Sequence, residues 1–239
     1  MTIKGLFFDL GGTLFSYRNV ARTNIPILID SVRKMGVDES DEKIKHAYTN
    51  ATREISHEYA DKPYYLHRDL FHDMYLRFCA IVGARYDPEV HRHYHEIQQT
   101  ALFNCLEVKP DCIETLAFLK DRGLYLSIVS NIDNDMLEPL VERENLHQYL
   151  DHWTSSETAK SCKPDPGFFD FALQKSTLNA QDVLFVGDSP EHDIVGAKRA
   201  GMGAVLIIEE GIEPPLQTGR KAVDADHTVH TLKGICSLV

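Results

Sequence analysis

Three short apolar runs, each closing on a polar residue, constrain this chain more than any other feature: IKGLFFD (3–9), LYLSIVS (124–130) and DVLFVGD (182–188). Runs of this length bounded by glycine read as strands buried on both faces, and such strands occur in parallel sheets covered by helices. Helical patterns near 110–122, 134–144, 166–175 and 191–200 alternate with further strand-like segments near 152–155 and 204–208, and a last strand and helix are expected at the C-terminus. This alternation predicts an α/β fold with a parallel sheet. Ligands of open parallel sheets bind outside the carboxyl ends of the strands. The polar residues found there, Asp9, Ser130 with Asn131, and Asp188, are therefore the first candidates for a site.

Between about 18 and 102 the character changes. Glycine is scarce, strand-like alternation is absent, and helical patterns cover roughly 20–35, 40–60, 64–82 and 88–100, with breaks at Gly36, at Lys62-Pro63 and from Gly83 to Pro88. The expected organisation is a sheet domain of residues 1–16 and 102–239, with a helical domain of residues 17–101 inserted after the first strand. The aromatic residues Tyr64, Tyr65, Phe71, Tyr75 and Phe78 fall in that insert and read as helix packing. In the run His91-Arg92-His93-Tyr94-His95, only His91 and His95 share a helix face, and no third ligand is spaced to join them. That face is expected to be solvated. Asp133, Asn134 and Asp135 read as caps of the helix after Ser130, and 213–219 as a surface loop.

The formal charge of −11 argues against nucleic acid as a partner, since such proteins carry a basic face. A small anionic substrate remains compatible with it, because one lysine and a metal ion dominate at short range. Five cysteines without close pairing fit neither a zinc site nor a disulfide framework, so a reducing, cytoplasmic setting is expected. The apolar run at the N-terminus is too short for a membrane span or a signal sequence, and no membrane association is expected. Oligomeric state, monomer or homodimer, is not encoded in any of these patterns.

Four motifs occur in order: FFDLGGTL (7–14), IVSN (128–131), KPDP beginning at Lys163, and VGDSPEHDIVGAKRAGM (186–202). In this set the chain resembles the haloacid dehalogenase (HAD) superfamily, with the helical insert where that family carries its C1 cap. The resemblance implies a Rossmann-like core with helices on both faces and a helical-bundle cap. It implies catalysis by Asp9, Lys163 and Ser130. Ser130, Asn131, Lys163 and Gly12 would bind the substrate, and Asp9, the Gly11 carbonyl, Asp188 and Asp193 would hold Mg2+. A carboxylate is ionised at neutral pH and can attack phosphorus to give an aspartyl-phosphate, provided positive charge offsets the repulsion of two anions.

One position departs from the pattern. Most phosphatases of the family carry a second Asp two residues after the nucleophile as acid and base, and here that residue is Gly11. Three readings follow. The chain is a Mg2+-dependent phosphatase of a small phosphorylated metabolite that prefers good leaving groups. It is a 2-haloacid dehalogenase-like hydrolase, in which the departing halide needs no acid. Or it is a non-catalytic binding or regulatory protein. The retained Asp188 and Asp193 favour the first. Tyr17, Arg18 and Arg22, close behind the first motif, are candidates to face the leaving group.

Overall fold

A computed structural model describes residues 2–220 and 223–239 and divides the chain into two compact units. One runs from the N-terminus to Ser16 and includes Lys62–Leu66 and Val108–Val239; the other comprises Tyr17–Asp61 and His67–Glu107. No helix among the described residues is long and apolar enough to cross a membrane.

The main sheet of the first unit has six strands among the described residues: β1 (Gly5–Phe8), β2 (Tyr125–Ser130), β3 (His152–Ser155), β4 (Val183–Gly187), β5 (Gly203–Ile207) and β6 (His227–Val229). Their order in the sheet is β3-β2-β1-β4-β5-β6 and every pairing is parallel. The most apolar strand thus takes the centre, where neither edge nor face meets water. Phe8 stands opposite Ile128 on one side and Val186 on the other. Alternate residues of the strands point to opposite faces. Phe7, Val129, Val183 and Phe185 join one core with Phe168, Phe169 and Ile194. The opposite set, Leu6, Leu126, Ile128, Leu184 and Val186, is buried as well, so both faces are covered.

Helices α5 (Cys112–Asp121), α6 (Asn134–Arg143), α7 (Pro166–Ser176) and α8 (Val195–Arg199) lie between the strands in sequence; α1 to α4 belong to the other unit. Two segments differ from their expected form. The helix expected over 191–200 starts as a π turn, Pro190–Ile194, before α8 continues it. The amides of Asp193 and Ile194 both bond to the Ser189 carbonyl, and the Ser189 hydroxyl accepts from the His192 amide, so one residue terminates the turn three ways. The C-terminal helix is a 3-10 segment, Leu232–Ser237. Asp133 stands at the cap position of α6 but its side chain makes no cap bond; the Asn134 amide is met instead by Glu157 at 2.8 Å. That correction has a simple reason, since a carboxylate delivered from elsewhere serves the same orphan donor. The segment Lys62–Leu66 counts with the sheet unit, where the Pro63 carbonyl accepts the Cys162 amide at 2.7 Å and the Tyr65 carbonyl the Cys162 thiol at 3.4 Å. Tyr64 and Tyr65 therefore belong to the sheet unit, where the Tyr64 hydroxyl accepts from Lys160 Nζ at 3.3 Å. All five cysteines are free.

The second unit holds α1 (Val20–Lys34), α2 (Asp41–Tyr59), α3 (His67–Val82) and α4 (Pro88–Cys105). Ser40 caps α2 and Asp87 caps α4, the latter through the amides of Glu89 and Val90 with Pro88 in the first turn. The core includes Leu28, Val32, Ile44, Ala51, Tyr75, Phe78 and Tyr94. A buried amide pair, Gln98 to Asn24 at 3.0 Å, ties α4 to α1.

His91 corrects the expectation of a solvated face. It is 8% exposed, lies stacked on Tyr75 with ring centroids 4.7 Å apart, and meets the Tyr86 hydroxyl through Nδ1 at 2.9 Å. His95 is exposed, as the face expectation required of both. Burial, with a smaller contribution from His72 and His95, pushes the His91 imidazole down to about 4. A histidine held neutral in the fold stabilises it fully above its ordinary pKa near 6.5, and that contribution is lost as pH falls toward 4. We expect up to about 3 kcal/mol of stability to vanish across this window. His91→Phe, which keeps the stack, should flatten the pH dependence of the urea midpoint between pH 6.5 and 4.5, whereas parallel slopes in the two proteins would refute this assignment.

Candidate active site

The carboxyl edge of the sheet gathers the polar strand ends. Asp9 follows β1, and its amide bonds to the Val186 carbonyl of the neighbouring strand at 2.9 Å. Asp188 follows β4, and Asp193 returns from the π turn. Lys163 comes from the loop before α7 and reaches both acids: Nζ lies 2.6 Å from Asp9 Oδ1 and 2.6 Å from Asp193 Oδ1. Lys163 is 3% exposed and Asp193 1%, so these ion pairs are shielded from water. Burial opposes the ammonium, but Asp193 and Asp9 outweigh it and hold Lys163 protonated above its usual range.

Lys163 pairs with two of the three carboxylates, and Lys109, the other lysine whose charge reaches Asp188, is engaged by Glu209 and the Gly12 carbonyl. Burial and the neighbouring charges of Asp193 and Asp9 raise Asp188 well above the carboxylate range. Asp193 is raised too, chiefly by burial, although Lys163 pulls against the shift. Asp9, Asp188 and Asp193 each offer an oxygen within 4.8 Å of the others. Three carboxylate oxygens gathered this closely are the kind of donor set that would hold one divalent ion. The donors are all oxygen and the surplus charge is negative, which fits a hard divalent cation. Asp193 has both oxygens engaged, Oδ1 by Lys163 and Oδ2 by the Ser189 amide at 2.9 Å. Asp188 has no hydrogen bond to its carboxylate among the described residues, which leaves it the freer ligand.

Local backbone makes the cluster possible. A Cβ on Gly187 would lie 2.3 Å from Asp193 Cγ, so only glycine lets Asp193 fold back beneath Asp188. Gly12 has φ of 75°, a left-handed conformation suited to glycine, and it turns the chain directly behind Asp9. Gly11 is half-buried and contributes backbone alone.

The remaining candidates are placed differently from one another. Ser130 ends β2 and is 4% exposed, and its hydroxyl meets no partner among the described residues. The Asn131 side chain is turned away from substrate duty: Oδ1 accepts the Lys163 amide at 2.7 Å and Nδ2 donates to the Lys163 carbonyl at 3.0 Å. It clamps the backbone that presents the lysine. Tyr17, Arg18 and Arg22 belong to the helical unit, where Arg22 bonds to Asn19 at 3.2 Å across the start of α1.

Several contributors escaped the sequence reading. Lys109 is 7% exposed, and its Nζ donates to the Gly12 carbonyl at 2.5 Å. Its only advance signal was a lysine amid the helix-opening residues KPDC, with nothing to mark its direction. Thr13 Oγ1 is buried with no hydrogen-bond partner among the described residues. Glu191 receives the amides of Thr218, Gly219 and Arg220 and the Thr218 hydroxyl, and the bonds from Thr218, Gly219 and Arg220 outweigh burial to hold it below the usual range. The loop over 213–219 is thereby tied to the π turn that carries Asp193. His192, beside it, is pushed down to about 4 by burial and by Lys163.

Residues 3–201 match the family of haloacid dehalogenase-like hydrolases. The chain is 27% identical to (S)-2-haloacid dehalogenase 4A of Burkholderia cepacia, over 89% of this chain and 86% of that protein. It is 24% identical to ribulose-1,5-bisphosphate 5-phosphatase of Halopiger xanaduensis over 98% of both. Among solved structures, YfnB from Bacillus subtilis bound to magnesium shares the fold with a TM-score of 0.76 at 14% identity, covering 100% of this chain and 99% of that one.

Proposed function

Because this chain belongs to the haloacid dehalogenase-like hydrolases, we propose that it is a magnesium-dependent phosphatase of a small phosphorylated metabolite, with Asp9 as nucleophile. The observation that carries this reading is the surplus of acid: Asp9, Asp188 and Asp193 converge within 4.8 Å of one another, and among the described residues only Lys163 forms ion pairs with them. Displacement of halide from carbon uses one carboxylate as nucleophile, and hydrolysis of the resulting ester is served by one more as base to the water, without concentrated positive charge. Phosphoryl transfer to a carboxylate needs concentrated positive charge, and these acids are what would hold it. Relatives of both chemistries support the family and leave the choice to the site.

In this reading Asp9 attacks phosphorus, the P–O bond to the leaving group breaks, and an aspartyl-phosphate forms. Water then attacks the same phosphorus, the bond to Asp9 breaks, and the free carboxylate returns with inorganic phosphate; the proton lost by this water and the one gained by the departed oxygen are exchanged with solvent. Asp9, Asp188 and the Gly11 carbonyl, with Asp193 directly or through water, would hold magnesium, which would stabilise charge on the phosphoryl oxygens. Lys163 shares that load and fixes Asp9 for attack. Ser130 and the Asn131 amide bind a phosphoryl oxygen as its charge changes, with Gly12 giving the backbone room to approach.

No side chain at Gly11 can protonate the leaving oxygen, an omission worth about 10²–10⁴ in rate where protonation matters. Turnover should therefore depend steeply on leaving-group pKa: p-nitrophenyl phosphate is hydrolysed at least about 100-fold faster than a simple alkyl phosphate. Both rates should collapse on chelation and return with Mg2+. Release of halide from a 2-haloacid that survives chelation, with no phosphate ester hydrolysed, would establish the dehalogenase reading in its place.

A further inference from the structure

We propose that Lys109 is a positioning residue that clamps the turn behind Asp9 and so sets where the Gly11 carbonyl and the Asp9 carboxylate stand. The turn holds two adjacent glycines, Gly11 and Gly12, which have the widest backbone freedom of any dipeptide. Its restraint comes from three places. The Leu10 carbonyl accepts the amides of Leu14 and Phe15, each at 2.9 Å. The Leu14 carbonyl accepts the Lys109 amide at 2.8 Å. The Gly12 carbonyl accepts Lys109 Nζ at 2.5 Å. One residue thus supplies two of the bonds, and the ammonium bond is the one on the glycine pair itself.

Lys109 is held for this task. Glu209 Oε2 stands 3.5 Å from Nζ, while Glu209 Oε1 accepts the Ser16 hydroxyl at 2.7 Å, so one carboxylate secures the lysine and the far end of the turn together. The two side chains are 8% and 14% exposed. A charge-assisted bond in such surroundings is stronger and more directional than one in water. Fixing the Gly12 carbonyl fixes the plane of the Gly12–Thr13 peptide. The two glycines then have only the path between that plane and the end of β1 to follow.

The kinetic part of this inference rests on the phosphatase reading; the structural part does not. Lys109→Met retains the amide bond and removes the ammonium, and Lys109→Gln keeps a polar group for Glu209 should the Met variant fail to fold. Amide exchange of the metal-free protein and p-nitrophenyl phosphate kinetics are measured on each. The clamp predicts that the Leu14 and Phe15 amides exchange at least about tenfold faster while those of β1 keep their protection, because loosening stays in the turn. It also predicts that kcat falls about tenfold or more with KM changed less than about threefold, and that Lys109→Arg restores most of the loss. Unchanged exchange at Leu14 and Phe15, a uniform rise that includes β1, or an unchanged kcat in an active enzyme overturns the proposal. A wild-type protein without phosphatase activity whose variants still loosen the turn sinks the proposed function and leaves the clamp standing.

Discussion

Asp9→Asn is expected to remove turnover by a factor on the order of 10⁴ or more, because the amide cannot form the acyl-phosphate through which both steps pass. The same substitution should leave the fold intact. Asn presents an oxygen of the same geometry to Lys163, whose bond to Asp9 Oδ1 is 2.6 Å long. It also removes one of the two neighbouring carboxylate charges that raise Asp188. In the absence of metal the variant should therefore melt at the wild-type temperature or above it, while its stabilisation by Mg2+ is weaker. Thermal melts with and without the ion, beside single-turnover assays, check both halves. Residual phosphate release within a hundredfold of wild type would place the nucleophile elsewhere. A collapse of the metal-free fold would mean that Asp9 serves structure more than chemistry.

Lys163→Met should be damaging in both respects. It strips the counter-charge from Asp9 and Asp193, of which Asp193 is 1% exposed, and leaving buried charge unpaired costs about 3–5 kcal/mol. Activity should fall by about 10²–10³ or more, the usual consequence of losing a group aimed at developing charge. The pH dependence follows from the carboxylates. Asp188 and Asp193 already titrate above their ordinary range, and without the lysine they are raised further. A carboxyl whose folded pKa is raised binds its proton more tightly in the fold, so its destabilising charge is relieved as pH falls. The stability deficit of the variant should therefore be largest at neutral pH and narrow toward pH 5, and added Mg2+ should recover part of it. Urea titrations of the metal-free proteins at pH 7.5 and 5.5 test this. A deficit independent of pH would assign the loss to packing.

The α/β class and the residues of the acidic cluster were legible before any coordinates, and the reason is local. A strand buried on both faces must be continuously apolar, so the first polar residue after GLFF or VLFV marks its end and the edge where ligands bind. Asp9 and Asp188 are such residues. Lys163 was recognisable by its place in an ordered set of motifs. The helices of the insert were legible from Gly36 and Gly83, which follow α1 and α3 in the left-handed conformation, and from Pro88 in the first turn of α4, although Pro26 stands inside α1 without ending it.

Other assignments turned on what each side chain meets across the fold, and periodicity holds no record of that. The backbone amide of Asn131 stands beside Ser130 as the sequence suggests, but only the approach of the 161–165 loop shows that its side-chain carboxamide is engaged by the Lys163 backbone. His91 and His95 share one helix face, yet the Tyr75 ring buries one and leaves the other in water. Lys109 is a single cation in a chain with 25 lysines and arginines, and its bond to Gly12 joins residues 97 apart. What the sequence determined by itself is which groups end each strand, because burial dictates residue type one position at a time. What only the tertiary structure decided is which of those groups share a charge, a clamp or a metal site, because such contacts exist only once distant segments have closed to within a few ångströms.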